Sequence, residues 1–241
     1  LLRRFAKWMW PHLSVWAKCR IQTLIFGNRL VVPKSSYVDS SVHILGARQV
    51  EIGENCCISE GVWLNVNHRS DKREPSLVIA SNSFIGKRNF FTCGASIRIG
   101  SHVLTSVDCK FLGSAHDYSN PLEPALHSAP TSSDHIRVGH GVFIGASAMV
   151  IGSVVVGHGA VVGAGSSVIS DVPPFSLVVG APARIIKRYS FAECRWKLVD
   201  LFTEDDERSL LSENSYLEQL NDRYAMKEMP WIAASRRLGN L

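Results

Sequence analysis

The sequence predicts an all-β solenoid, a parallel β-helix, and three observations predict it. From residue 138 to 173 the residues Val138, Ile144, Val150, Val156, Val162 and Val168 recur every six positions. Glycine follows four of them, at 139, 145, 157 and 163, and a small or β-branched residue stands four places after each, from Val142 to Val172. An α-helix does not put residues six apart on one face, and a plain strand alternates by two without regular glycines. Period six with two inward positions per unit therefore means short strands joined by turns. Three such units make a triangular coil, and coils must stack because none buries its own inner face.

The period also runs upstream. Val38 and Ile44 begin it, and Ile52, Ile58 and Leu64 hold it. Ile79, Ile85, Phe91 and Ile97 keep step; after a two-residue slip Ile99, Thr105 and Phe111 resume. Two stretches interrupt it, at 65–76 and 117–135. Both are polar and too long for turns, so each reads as a loop extruded from the coil, where sites usually lie.

The ends differ from the coil. Residues 1–37 form an amphipathic segment with Trp8, Trp10 and Trp16 beside Lys7, Lys18 and Arg20. It reads first as a helix packed on its own domain, and second as a helix resting on a membrane surface through residues 1–30. After Pro173-Pro174 the period ends. Ser190-Phe-Ala-Glu193 resembles a capping box opening a helix through Phe202, and a second helical stretch runs from about 204 to 226. The expected domains are thus 1–37, a coil over 38–188, and a helical extension over 189–241 that caps the open end.

Composition narrows the class. The 241 residues are 46% hydrophobic and 20% charged, which excludes disorder and a disulfide-stapled miniprotein. A net charge of +5 leans towards anionic partners without indicating nucleic acid. Six cysteines without a Cys-x-x-Cys pair fit free thiols in a reducing compartment, and no structural zinc is expected. No run approaches the ~18 apolar residues of a membrane-spanning helix.

The run from Ile136 to Arg188 resembles the closing coils of the hexapeptide-repeat acyltransferases. The matching features are the hexads, Gly163-Ala-Gly165-Ser, Asp171-Val-Pro-Pro174 and Gly180-Ala-Pro-Ala-Arg184. The resemblance covers residues 38–188 and is nearest to the sugar and polysaccharide O-acetyltransferases and the galactoside and xenobiotic branch. It implies a left-handed coil, a homotrimer with sites between subunits, and acetyl-CoA extended along the coil wall. It also implies an O-acetyltransferase acting on a sugar or glycan hydroxyl in surface polysaccharide or glycolipid assembly, cytoplasmic or peripheral to the inner membrane face.

Acyl transfer from a thioester to an alcohol needs a base for the hydroxyl proton and a group to hold the oxyanion. His116, in FLGSAHDYSN, matches the family's catalytic histidine by its interval from Ile99-Gly100. Asp117 follows it and is one candidate to orient the ring; a backbone carbonyl is the other. The residues matching the acetyl-CoA contacts are Ala146, Ala164, Ile169, Ser170, Arg184 and Lys187, with Arg188 as an assistant. Asn89, Thr92 and Asp117 are candidate substrate contacts, although Asn89 reads first as a buried amide bonding neighbouring coils. Thr92 replaces the asparagine of the galactoside branch and Ile169-Ser170 its Thr-Lys pair, which argues against a simple galactoside.

Other readings stay open. A xenobiotic acetyltransferase shares the plan of coil, loop and C-terminal helix. A zinc enzyme of the γ-carbonic anhydrase kind needs three converging histidines, and His116 and His127 do not fall at its spacings. His140 and His158, one coil apart, are a candidate metal pair or interface contact, but lack a third ligand and read first as solvated turn residues. A non-catalytic scaffold is the plainest alternative.

Overall fold

In the computed structural model, residues 30–66, 74–131, 133–225 and 227 are described. The expected N-terminal helix and the centre of the first extruded loop fall outside them.

The chain winds as a left-handed parallel β-helix, each coil giving one strand to each of three sheets. Coil one is β1 (Tyr37–Val38), β2 (His43–Leu45) and β3 (Val50–Ile52), and coil two β4 (Cys57–Ile58), β5 (Trp63–Val66) and β6 (Leu77–Ile79). Coil three is β7 (Phe84–Ile85), β8 (Phe90–Cys93) and β9 (Ser96–Ile99), and coil four β10 (Leu104–Thr105), β11 (Lys110–Leu112) and β12 (His135–Val138). Coil five is β13 (Phe143–Ile144), β14 (Met149–Ile151) and β15 (Val154–Val156), and the sixth begins with β16 (Val161–Val162) and β17 (Ser167–Val168). Sheet A runs β1-β4-β7-β10-β13-β16, sheet B β2-β5-β8-β11-β14-β17 and sheet C β3-β6-β9-β12-β15.

The hexad residues are the core. Thr105, Ile144 and Val162 stand in register across sheet A, Phe91, Phe111, Val150 and Val168 across sheet B, and Ile99, Val138 and Val156 across sheet C. All are buried. Phe91 and Phe111 stack with centroids 4.4 Å apart and planes 7° from parallel. Packing of this kind gives the solenoid most of its apolar burial.

The period breaks at one place only. From sheet A to B, and from C to A, successive core residues are always six apart. From B to C they are six apart in coil five but eight from Ile44 to Ile52 and from Phe91 to Ile99. Both long loops leave here too, between β5 and β6 and between β11 and β12. Every insertion thus falls on the B–C corner, which the slip in the sequence had marked.

The C-terminal region corrects two expectations. Residues 190–202 are not a helix opened by a capping box. The Ser190 hydroxyl does accept the Glu193 N–H at 3.1 Å, but this bond closes a turn between antiparallel strands β19 (Ala183–Ser190) and β20 (Arg195–Leu198). The edge of sheet A, continued by β18 (Ser176–Gly180), offers β19 a ladder, and tertiary pairing overrides the local signal. Nor, among the described residues, does a helix close the open end. Ala183 and Ile185 of β19 pack against the core there.

The helices lie elsewhere. α1 (Glu204–Arg208) starts at a capping box of Thr203 and Asp206. α2 (Glu213–Tyr224), capped by Ser212, runs back along the C–A corner. His158 Nε2 meets the Leu211 carbonyl at 2.9 Å, the Tyr216 ring covers Gly141, and His102 Nε2 meets Asn221 Oδ1 at 2.9 Å. His140 and His158 are therefore neither a metal pair nor solvated turns: α2 covers them, and burial lowers the pKa of His140. Its Nδ1 accepts the Ser101 N–H at 2.9 Å.

Candidate functional site

The second loop leaves the B–C corner as a short two-stranded ribbon. At its root the Gly113 N–H donates to the Thr92 carbonyl at 2.8 Å. The Thr131 N–H donates to the Ala115 carbonyl at 2.6 Å, the Ala115 N–H to Thr131 Oγ1 at 3.0 Å, and the Asp117 N–H to the Ala129 carbonyl at 3.2 Å. His116 pairs with Pro130 across this ribbon. These bonds carry His116 outward and leave it exposed.

Its Nδ1 lies 3.4 Å from the Ser128 carbonyl, longer than a good N–H···O bond. Asp117 is not the orienting group. Its carboxylate turns away and accepts the Ser119 N–H at 2.9 Å, which holds its pKa below the ordinary carboxylate value. The backbone carbonyl is thus what faces the imidazole, and the loop imposes it.

At the foot of the ribbon, Thr92 points outward from β8 in register with Asn65 of β5, and both are largely covered. Asn65 Oδ1 has no hydrogen-bond partner among the described residues. Asn89 cannot touch a substrate here. It is 0% exposed, and its amide donates to the carbonyls of Gly86 and Ser106 at 2.7 Å each.

One pair was not read from the sequence. Ser96 Oγ lies 2.9 Å from His135 Nδ1 where the ribbon rejoins the wall. The two are 39 residues apart, and only the strand register of β9 with β12 makes them neighbours.

The candidate cofactor residues fall in two places. Ala146 and Ala164 stack at the A–B corner, where the Gly165 N–H donates to the Ala146 carbonyl at 2.8 Å. A methyl group on Gly145 would stand 2.5 Å from the Ala164 nitrogen, so glycine permits this close stacking. Ser170 and Arg184 share a cleft of about 490 Å³ at the open end, with Asp171, Ala183 and Ile185. Ile169, beside Ser170, is exposed. Arg184 bonds only the Ala183 carbonyl among the described residues, leaving donors for an anion. Lys187 lies further along β19, outside the cleft. Arg188 is engaged elsewhere, with Glu207 and over the Phe202 ring.

Within one chain these places stay apart. His116 stands off the B–C corner and the alanine pair on the A–B corner. Among the described residues, no three His, Cys, Asp or Glu side chains converge as metal ligands.

No protein-family model matches the chain. No curated protein sequence matches it significantly. Solved structures are similar to it. AntD, an N-acyltransferase from Bacillus cereus in complex with dTDP and 3-hydroxybutyryl-CoA, is 21% identical, with a TM-score of 0.62 over 87% of this chain and 100% of that one. A serine-to-alanine mutant of AntD with dTDP-4-amino-4,6-dideoxyglucose and coenzyme A is 20% identical, with a TM-score of 0.60 over 83% and 96%. At this identity the likeness establishes the fold.

Proposed function

We propose that the protein is a hexapeptide-repeat acyltransferase that carries acetyl from acetyl-CoA to a sugar hydroxyl, in surface polysaccharide or glycolipid assembly. The observation that carries this reading is the exposed His116, lifted off a rigid wall on a hydrogen-bonded ribbon. Its imidazole takes the proton of the acceptor hydroxyl as the oxygen attacks the thioester carbonyl. A neutral histidine suits that task near pH 7. No covalent enzyme intermediate is required.

Acetyl-CoA fits the rest of the wall. The Ala146–Ala164 stack lets pantetheine approach the backbone, and Ser170 with Arg184 offers donors to the nucleotide phosphates. Because His116 and the alanine stack lie on different corners, the site is complete only when a second copy supplies the other half. A homotrimer does this. The chain works in the cytoplasm, with residues 1–30 as a candidate contact with the inner face of the membrane.

A second reading is favoured by the likeness to AntD, an N-acyltransferase solved with an amino-sugar nucleotide. There the acceptor is a sugar amine, and the same histidine takes the proton of the attacking nitrogen.

Calorimetry with acetyl-CoA tests the proposal, since it requires no acceptor. Saturable binding near one per subunit, weakened by Arg184→Ala, supports it. A folded protein that binds none refutes it. Turnover with D-glucose against dTDP-4-amino-4,6-dideoxyglucose then separates the hydroxyl from the amine, and light scattering gives the number of copies.

A further inference from the structure

Acyl transfer needs a donor for the oxygen of the carbonyl as it becomes tetrahedral. Several backbone N–H groups at the root of the ribbon are already engaged. The N–H groups of Ala95 and Ser96 both donate to the Asp134 carbonyl, at 2.9 and 3.3 Å. Those of Gly113, Ala115 and Asp117 donate to Thr92, Thr131 and Ala129. His135 donates its N–H to Ser153 Oγ at 3.3 Å. With these N–H groups engaged, an exposed side-chain N–H at this corner can serve as the donor.

His135 has the right attributes. It opens β12 on the rigid wall, where the ribbon carrying His116 rejoins the coil, and its side chain is exposed. Ser96 Oγ fixes its Nδ1 at 2.9 Å, and its Nε2 has no partner among the described residues. When the Ser96 hydroxyl donates to Nδ1, the ring proton sits on Nε2. Ser96 is itself held by β9, so the ring is oriented from the wall and not from the loop. His116, by contrast, is held only by a long contact to the loop.

We propose that His135 is a further catalytic residue, whose Nε2–H, oriented by Ser96, holds the thioester carbonyl oxygen in the transition state. The inference rests on the acyltransferase reading. The acceptor oxygen attacks the carbonyl carbon while its proton passes to His116, and the carbonyl π pair moves onto the oxygen bonded by His135. On collapse that pair re-forms the C=O bond, the C–S bond breaks, and CoA leaves as the thiolate with the bonding pair. Ser96 is the positioning residue.

The test compares two amides in the full-length protein. In His135→Asn the amide nitrogen replaces Nδ1, and in His135→Gln it reaches the place of Nε2. The assay is CoA thiol release from acetyl-CoA, with D-glucose, dTDP-4-amino-4,6-dideoxyglucose or water as acceptor. His135→Asn should lower kcat roughly 100- to 1000-fold, as loss of one oxyanion donor does. The KM for acetyl-CoA should stay near wild type, while His135→Gln retains most of the rate. Wild-type kcat in His135→Asn, or equal losses in both variants with equal falls in Tm, would overturn the proposal.

Histidine nitrogen NMR decides the tautomer independently of turnover. A proton on Nε2 that shifts to other tautomers in Ser96→Ala is expected, and a bare Nε2 in wild type overturns the idea. A wild-type protein that neither binds acetyl-CoA nor releases thiol fails the acyltransferase reading instead.

Discussion

Lys197 Nζ donates to Asp206 Oδ2 at 2.7 Å, and both side chains are buried where β20 meets the start of α1. Asp206 also accepts from Ser190 Oγ and from the N–H and hydroxyl of Thr203, while Lys197 reaches Glu193 Oε1 at 2.8 Å. The Lys197 bond above all, then Ser190, holds the Asp206 carboxyl far below its ordinary value. A lowered carboxylate pKa contributes stability fully above the unfolded value, about 3.9, and loses it as the pH falls towards the folded value. Asp206→Asn should therefore lower Tm at pH 7 and flatten the decline of Tm below about pH 4. An unchanged Tm at pH 7 would mean that the ion pair contributes nothing net.

Removal of the ribbon histidine should separate chemistry from binding. Among the described residues His116 bonds none of the coil wall, and the alanine stack lies on another corner. His116→Ala should lower kcat by about 100- to 10,000-fold, the range for a general base. Acetyl-CoA binding by calorimetry and Tm should stay at wild-type values. Turnover at the wild-type rate would take the proton-acceptor role away from this residue.

The coil was legible because every inward residue must fill the same triangular interior, so Val138 through Val168 repeat without choice. The corner that carries the insertions was legible as a two-residue slip at Ile97 and Ile99. Long-range pairing was not legible. Ser190 and Glu193 carry a true local signal, and their bond forms, but the edge strand β18 turns it into a hairpin. Ser96 and His135 meet only through the register of β9 with β12, and because the long loop intervenes no spacing encodes that contact. The choice between Asp117 and a backbone carbonyl as the group facing His116 stayed open, because adjacency in sequence says nothing about where a turn carboxylate points.

The thiols should divide by burial. Burial pushes Cys56, Cys93 and Cys109 up to about 11, so almost none of each is thiolate at pH 8. Cys194 is exposed, in the turn between β19 and β20. An aromatic disulfide reagent should label Cys194 quickly and the four buried thiols, Cys57 among them, only on unfolding. Cys194→Ser should remove one fast equivalent. Rapid labelling of Cys109 in the folded protein would mean that the coil opens locally far more often than its packing implies.

The A–B corner can be tested by adding single side chains to neighbouring glycines. A Cβ at Gly145 would stand 2.5 Å from the nitrogen and 2.9 Å from the Cα of Ala164, and backbone cannot swing aside as a long side chain can. Gly145→Ala should therefore push two coils apart and destabilise by about 1–3 kcal/mol, the usual cost of overpacking. Gly165 is different. Its φ of +67° is shared by Arg88, Asp108 and Ser147 at the same place in other coils, at 55°, 62° and 58°, and nothing lies within 4 Å of an added Cβ. This corner already accepts left-handed residues other than glycine, so Gly165→Asn should cost less than about 1 kcal/mol. The two variants also divide on binding. Gly145→Ala displaces Ala164 and should weaken acetyl-CoA, whereas Gly165→Asn leaves the Ala146–Ala164 spacing intact. Equal affinity in Gly145→Ala and wild type would detach pantetheine from this corner and leave the Ser170–Arg184 cleft as the candidate site.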